Sequence, residues 1–163
     1  MDKLSKHLDE KLEFYYNMIT KGPYIVNPSI SIRKNPLKSI AFSVDFYSIP
    51  GENVWVLGSI PEFGNWGLNG ALSLGWNRGG IWKGERKIER DINYFEFKFV
   101  IEKWGKIKWW QEGENNKINL EEITKDGINK SGRYNNGRYE YNHENATLLV
   151  EYYWPDDDSG YDS

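Results

Sequence analysis

The chain contains no cysteine. That excludes disulfides, thiolate nucleophiles, a cysteine-dependent phosphatase and Cys-based zinc sites together. Histidine is almost as scarce, and His7 and His143 stand far apart with no partner at nucleophile or metal spacing, so neither a metal nor a cofactor is expected. Nothing approaches the ~18 consecutive apolar residues of a membrane span, and the N-terminus carries no apolar run of signal-peptide length. A soluble, cytoplasmic protein is the expectation. There is also no excess of basic charge. Lys and Arg number 21 against 24 Asp and Glu, for a net charge of -3, whereas a nucleic-acid binder needs a basic face.

What the chain has in quantity is aromatic surface. Phe, Trp and Tyr make up 16% of its 163 residues, with 8 Trp and 11 Tyr. One domain fits this length, and 39% hydrophobic residues suffice for its core. A single core of this size seldom needs so many rings, so some are expected on the surface, where they bind something.

Residues 2–20 read as an amphipathic helix, with Leu4, Leu8, Leu12, Tyr15 and Ile19 at spacings of three and four. Gly22 and Pro23 end it. Its stripe either packs on the domain's own sheet or serves as a docking or self-association surface. Residues 23–38, with Pro23, Pro28 and Pro36, read as a linker or edge segment.

From Ser39 the period becomes two. Ile40, Phe42, Val44 and Phe46 alternate with polar or small residues, the pattern of a half-buried strand. Pro50-Gly51 turns the chain into a strand over Asn53–Leu57. Leu72 and Leu74 suggest a short apolar segment, Gly75–Gly80 a turn region carrying Trp76, and Ile81–Ile88 a strand with Trp82 near its start. In Asn93–Ile101, Phe95, Phe97, Phe99 and Ile101 share one face. Trp104-Gly105 makes a hairpin turn, and Lys106–Gln111 returns with Ile107 and Trp109 expected inward and Lys106, Lys108 and Trp110 outward. Segment 119–145 is a polar insert with an Asn136-Gly137 hairpin signal. Ala146–Trp154 is a last strand, and the acidic tail 155–163 is expected to be disordered. These elements predict an all-β, Ig-like antiparallel β-sandwich of about seven to eight strands following an N-terminal helix.

The stretch Val54–Trp66, VWVLGSIPEFGNW, stands out. An apolar strand breaks at Gly58, crosses a proline-marked loop to a second break at Gly64, and delivers Trp66. Such Gly, Pro and Asn residues answer backbone needs, so the loop's product is a held indole. GSIPEFGNW at 58–66 is followed by AL at 71–72, the isolated Trp82, FEFKFV at 95–100, WQEGENN at 110–116 and a closing strand ending on Trp154. In this order the features resemble the starch-binding domain, carbohydrate-binding module family 20, over Ser39–Asn116 and Ala146–Trp154.

The resemblance implies an open-sided β-sandwich that binds α-glucans such as starch, glycogen and maltooligosaccharides without catalysis. It implies a first site in which Trp66 and Trp110 are the stacking pair, Lys98 hydrogen-bonds sugar hydroxyls and Asn115 assists. The chain departs from the family at Gln111, where Glu is usual, and at Asn116, where Arg is usual. Gln can still donate and accept at a hydroxyl, so a retuned first site including Gln111 is expected. A possible second site would use Trp76 and Tyr47, because Pro50 replaces the usual tyrosine before Gly-Glu-Asn. Trp82 either packs in the core or joins that site.

These residue types suit a sugar. A pyranose has an apolar C–H face that a flat ring can cover, while polar groups at the rim fix orientation. Two rings at an angle match a curved α-1,4-glucan, a preference that comes from the resemblance. An enzyme reading would need paired carboxylates. Glu112 and Glu114 lie in a short charged turn with nothing to raise one pKa, so no catalytic residue is assigned. Alternatives are a scaffold or targeting protein that localises a partner to glucan, and a sandwich that serves only protein–protein contacts.

Overall fold

The alternation at Ser39–Asp45 builds strand β1, with Ile40, Phe42 and Val44 buried on one face. The computed structural model describes residues 36–134 and 137–156. The helix expected over 2–20, most of the 23–38 segment and the tail from residue 157 lie outside these. Among the described residues there are 11 strands: β2 Glu52–Gly58, β3 Leu72–Ser73, β4 Gly75–Asn77, β5 Ile81–Lys87, β6 Tyr94–Lys103, β7 Lys106–Trp110, β8 Asn116–Asn119, β9 Lys130–Tyr134, β10 Gly137–Asn142 and β11 Thr147–Tyr153. A short helix α1, Leu120–Thr124, is capped by the Asn119 side chain, which accepts from the Glu122 N–H at 3.0 Å.

Two sheets result. One has the order β4-β5-β1-β11-β10-β9, and the other β3-β2-β6-β7 with β8 also paired to β6. Residues from both sheets meet in one core, including Phe42, Val44, Leu148 and Val150 from the first and Val54, Val56, Phe97 and Phe99 from the second. Phe42 lies edge-on to Phe63, Phe97 and Phe99 at 5.3, 5.6 and 6.0 Å. Such edge-to-face geometry is the favoured one for paired rings. Leu37 is also in the core, so the packed unit begins before Ser39. Among the described residues no helix is long and apolar enough to cross a membrane.

Four expectations are corrected. The strand number exceeds seven to eight, chiefly because 119–145 is not a polar insert. Leu120, Ile123 and Tyr141 enter the core, and β9 and β10 extend the first sheet. The sandwich is not purely antiparallel, since β1 and β11 run parallel from Ser39 opposite Thr147 to Asp45 opposite Tyr153. Gly75–Asn77 is an edge strand rather than a turn, paired with β5. Finally, Ile107 does not point inward as alternation predicts, and Trp109, which does, is not buried. Trp109 sits opposite Ile101 but Ile107 opposite Glu102, so Lys108 is an extra residue in the ladder. This bulge shifts Ile107 to the outer face, and β7 lies at the sheet edge, which leaves the Trp109 ring uncovered.

Candidate functional site

On β6, residues alternate between the core and the outer face of the second sheet. Phe95, Phe97, Phe99 and Ile101 are buried inward, so Glu96, Lys98, Val100 and Glu102 point outward. Leu57 of β2 sits opposite Lys98, and Trp110 of β7 opposite Val100. The outer face carries its own small apolar cluster of Leu57, Ala71 and Val100, against which Trp55, Trp66, Leu68 and Ile107 pack. Trp66 and Trp110 therefore share one face of one sheet, with Lys98 beside them. Trp110 keeps 43% of its surface exposed.

The loop that brings Trp66 there is anchored on both sides. Phe63 is buried in the inter-sheet core against Phe42 and Phe95, whereas Trp66, three residues on, reaches the outer-face cluster. The chain must bend hard between them. Gly64, Asn65 and Trp66 have φ of 80°, 50° and 73°, two of them non-glycine residues in the left-handed region, which is sparsely populated and costs on the order of 1–3 kcal/mol per residue. A Cβ at Gly64 would stand 2.8 Å from the Ala71 nitrogen, so glycine is required there. Side chains hold the outside of the loop. Arg86 donates from Nε to the Glu62 carbonyl at 3.0 Å and from Nη2 to the Ala71 carbonyl at 3.3 Å. Arg90 grips the Glu62 carboxylate with both arms at 2.9 and 2.8 Å. Burial pushes the Glu62 carboxyl up, but the Arg90 hydrogen bond, a backbone N–H and the charges of Arg90 and Arg86 together outweigh it and hold it below the usual range.

At the other rim, Lys98 Nζ donates to the Gly113 carbonyl, and Asn115 Nδ2 donates to Glu96 Oε1 at 2.9 Å. Glu96 also accepts from the Tyr94 hydroxyl at 2.7 Å. The bonds from Asn115 and then Tyr94 hold its carboxyl below the usual range, so it stays an anion and a fixed acceptor. Sequence pattern does not single out Glu96 or Tyr94. Their outward register on β6 is legible, but the link from Glu96 to Asn115, 19 positions away, is not.

Gln111 takes a different place from the one expected. It is 1% exposed. Its Oε1 accepts from the Phe99 N–H at 3.1 Å and from Asn116 Nδ2 at 2.7 Å, and its Nε2 donates to Asn116 Oδ1 at 3.1 Å. Its backbone N–H donates to the Phe99 carbonyl. The Gln111–Asn116 amide pair thus fills the gap in the β6 edge between β7 and β8. The chain's two departures from the family pattern contact each other, and Gln111 positions the loop bearing Asn115 rather than facing outward.

The second set is not gathered into one site. Trp82 is 5% exposed and packs in the core; its indole N–H has no hydrogen-bond partner among the described residues. Trp76 lies opposite it on β4 and is exposed, because an edge strand has no further cover. Tyr47 lines a separate groove with Trp109 and Trp154 that does not include Trp76.

The family model of the starch binding domain matches residues 38–128. The chain belongs to this family. Starch-binding domains are non-catalytic carbohydrate-binding modules, and membership supports α-glucan binding here. A cyclomaltodextrin glucanotransferase of Klebsiella oxytoca is 30% identical over 92 residues, which is 53% of this chain and 14% of that enzyme. The chain thus spans a small part of the curated relative's length. Among solved structures, the family 20 module of a maltotetraose-forming amylase from Pseudomonas saccharophila STB07 is 26% identical with a TM-score of 0.44, covering 50% of this chain and 88% of that one. A family 15 glucoamylase from Hypocrea jecorina, at 17% identity and a TM-score of 0.53, shares the fold over 83% of this chain and 19% of its own.

On the same outer face of the second sheet, Glu102 holds Trp55 in place. Its Oε1 accepts from Trp55 Nε1 at 2.9 Å and Asn53 Nδ2 at 3.2 Å, and its Oε2 from the Gly105 N–H at 2.8 Å. Burial pushes this carboxyl up, but the three donors, led by Gly105, bring it below the usual value. A carboxyl lowered on folding contributes stability above its unfolded value of about 4.3 and loses it as pH falls through the folded value. In thermal melts from pH 7 to pH 3, the stability gap between the intact chain and Glu102→Gln should narrow below about pH 4. A gap constant across that range would contradict the ionised role.

Proposed function

We propose that this chain binds α-glucans, without hydrolysing them, on the outer face of the second sheet. Trp66 and Trp110 form the stacking platform, with Lys98 and Asn115 as polar partners at its rim. The observation that carries this reading is the anchored loop. It holds Trp66 through left-handed backbone on the face that also presents Trp110. Strain of that kind, held in place by Phe63, Arg86 and the Glu62–Arg90 pair, is what a presented side chain requires. Indole faces cover the apolar side of a pyranose, and the rim amide and ammonium meet its hydroxyls. The Glu96–Asn115 bond leaves the Asn115 carbonyl oxygen to accept from a sugar.

With anchors of ~2 kcal/mol each beyond the cost of ordering, affinity for short oligosaccharides should lie on the order of micromolar to millimolar. Repetition along a polymer raises the apparent value. Mixed with insoluble starch, the chain should sediment with the granules and be released by soluble maltooligosaccharide, while reducing ends do not accumulate. Protein left in the supernatant would overturn the function. Accumulating reducing ends would overturn its non-catalytic character.

A further inference from the structure

A groove on the other side of the edge strand β7 shares only Trp110 with the platform. It has a volume of about 430 Å³ and opens between the two sheets where β1, β7 and β11 end. Trp109 stands on one wall, Tyr47 and Trp154 on others. Tyr47 is 88% exposed, and Trp109 is as exposed as Trp110, at 43%. Trp154 is braced from behind by Phe46 and Tyr152, at 5.4 and 5.7 Å between ring centres. On Trp109, Lys108 Nζ lies 4.2 Å from the ring centroid while ion-paired to the buried Glu52 at 2.6 Å, so one face of the indole is pinned. Trp110 lines this groove as well.

We propose that this groove is a second subsite for a neutral α-glucan, reached from the Trp66–Trp110 platform by passing around the β7 edge. It rests on the reading of the platform given above. Two observations select the occupant. Continuity is the first: Trp110 lies both on the platform face, opposite Val100, and in the groove lining, so the two surfaces adjoin at this residue. Charge is the second. The exposed carboxylates of Glu112 and Asp156 line the groove, while its cation, Lys108, is already paired. Carboxylates accept from sugar hydroxyls, but they repel phosphorylated ligands. The open edge at β7 is what leaves the subsite accessible. Ordinary alternation turns Trp109 and Trp110 to opposite sides of this strand, and each keeps 43% of its surface exposed.

The test compares a short and a long ligand, maltotriose and maltoheptaose, by titration calorimetry on the full chain. The platform alone serves the short one, so Trp109→Ala and Tyr47→Ala should leave maltotriose affinity unchanged. Each should weaken maltoheptaose about tenfold, the order expected for a lost aromatic anchor, and Trp109→Phe should recover most of it. Tyr47→Ala guards against misfolding, since so exposed a side chain supports little of the core. If the intact chain binds maltotriose but both variants bind maltoheptaose as it does, the groove proposal is overturned and the platform reading stands. If Trp109→Ala alters oligomeric state on a sizing column but not glucan affinity, the groove is a protein contact and the proposal is overturned. If the intact chain binds neither sugar, both readings fall together.

Discussion

Replacing Trp66 and Trp110 by alanine together is expected to abolish retention on insoluble starch. Each single replacement should lower oligosaccharide affinity by about 2 kcal/mol, or roughly thirtyfold. Their effects on stability should differ, because the two rings are held differently. Trp110 is an exposed residue of an edge strand, so Trp110→Ala should shift the unfolding free energy by less than ~1 kcal/mol. Trp66 covers Leu57, Ala71 and Val100, so Trp66→Ala should cost more, and Trp66→Phe should restore most of the fold and part of the binding. Wild type and double variant retained equally on starch would sink the site assignment.

Phe63→Ala should destabilise the fold more than either tryptophan replacement. The ring is wholly buried between Phe42 and Phe95. Removing such a ring from a packed core costs about 3–5 kcal/mol, which for a domain of this size lowers the melting temperature by roughly 10–15 °C. The loss should reach function too. Phe63 is the inner anchor of the loop, and without it the left-handed run at Gly64–Trp66 loses the contacts that oppose its strain. Glucan affinity measured well below the melting transition should therefore fall, although Phe63 faces away from the platform. Phe63→Leu should show a smaller loss of both. Unchanged affinity in a folded Phe63→Ala chain would mean that the outer contacts of Arg86 and Glu62 hold Trp66 unaided.

Much of the sandwich was legible because period two speaks directly to burial. Ile40, Phe42 and Val44, and Phe95, Phe97, Phe99 and Ile101, fall where alternation places them. Pattern failed where the ladder is irregular. One extra residue at Lys108 inverts the expected facing of Ile107, while Trp109 keeps its inward facing but stands uncovered at the sheet edge, and nothing in the run KIKWW marks the bulge. The segment 119–145 looked polar because its strands are half-buried and its helix is short. Only Leu120, Ile123, Tyr139 and Tyr141 in their final positions show that it closes one end of the core. Gln111 illustrates a different limit. As a residue type it suits a sugar hydroxyl, but its amide is engaged by Asn116 and the Phe99 backbone, a pairing that sequence distance hides.

For Val54–Trp66, the residues alone determined that a strand ends at Gly58 and that a Gly- and Pro-shaped loop delivers a tryptophan. Glycine at position 58 is itself a packing demand, since a Cβ there would approach the Glu96 carbonyl to 2.8 Å. The order of motifs along the chain determined the family. Tertiary structure alone decided which way Trp66 leans, that Phe63 ties the loop to the core, and that Trp110 meets it on the same face. The reason is physical. A loop has no period, so the direction of its side chains is set by what packs against them, and those contacts come from residues tens of positions away.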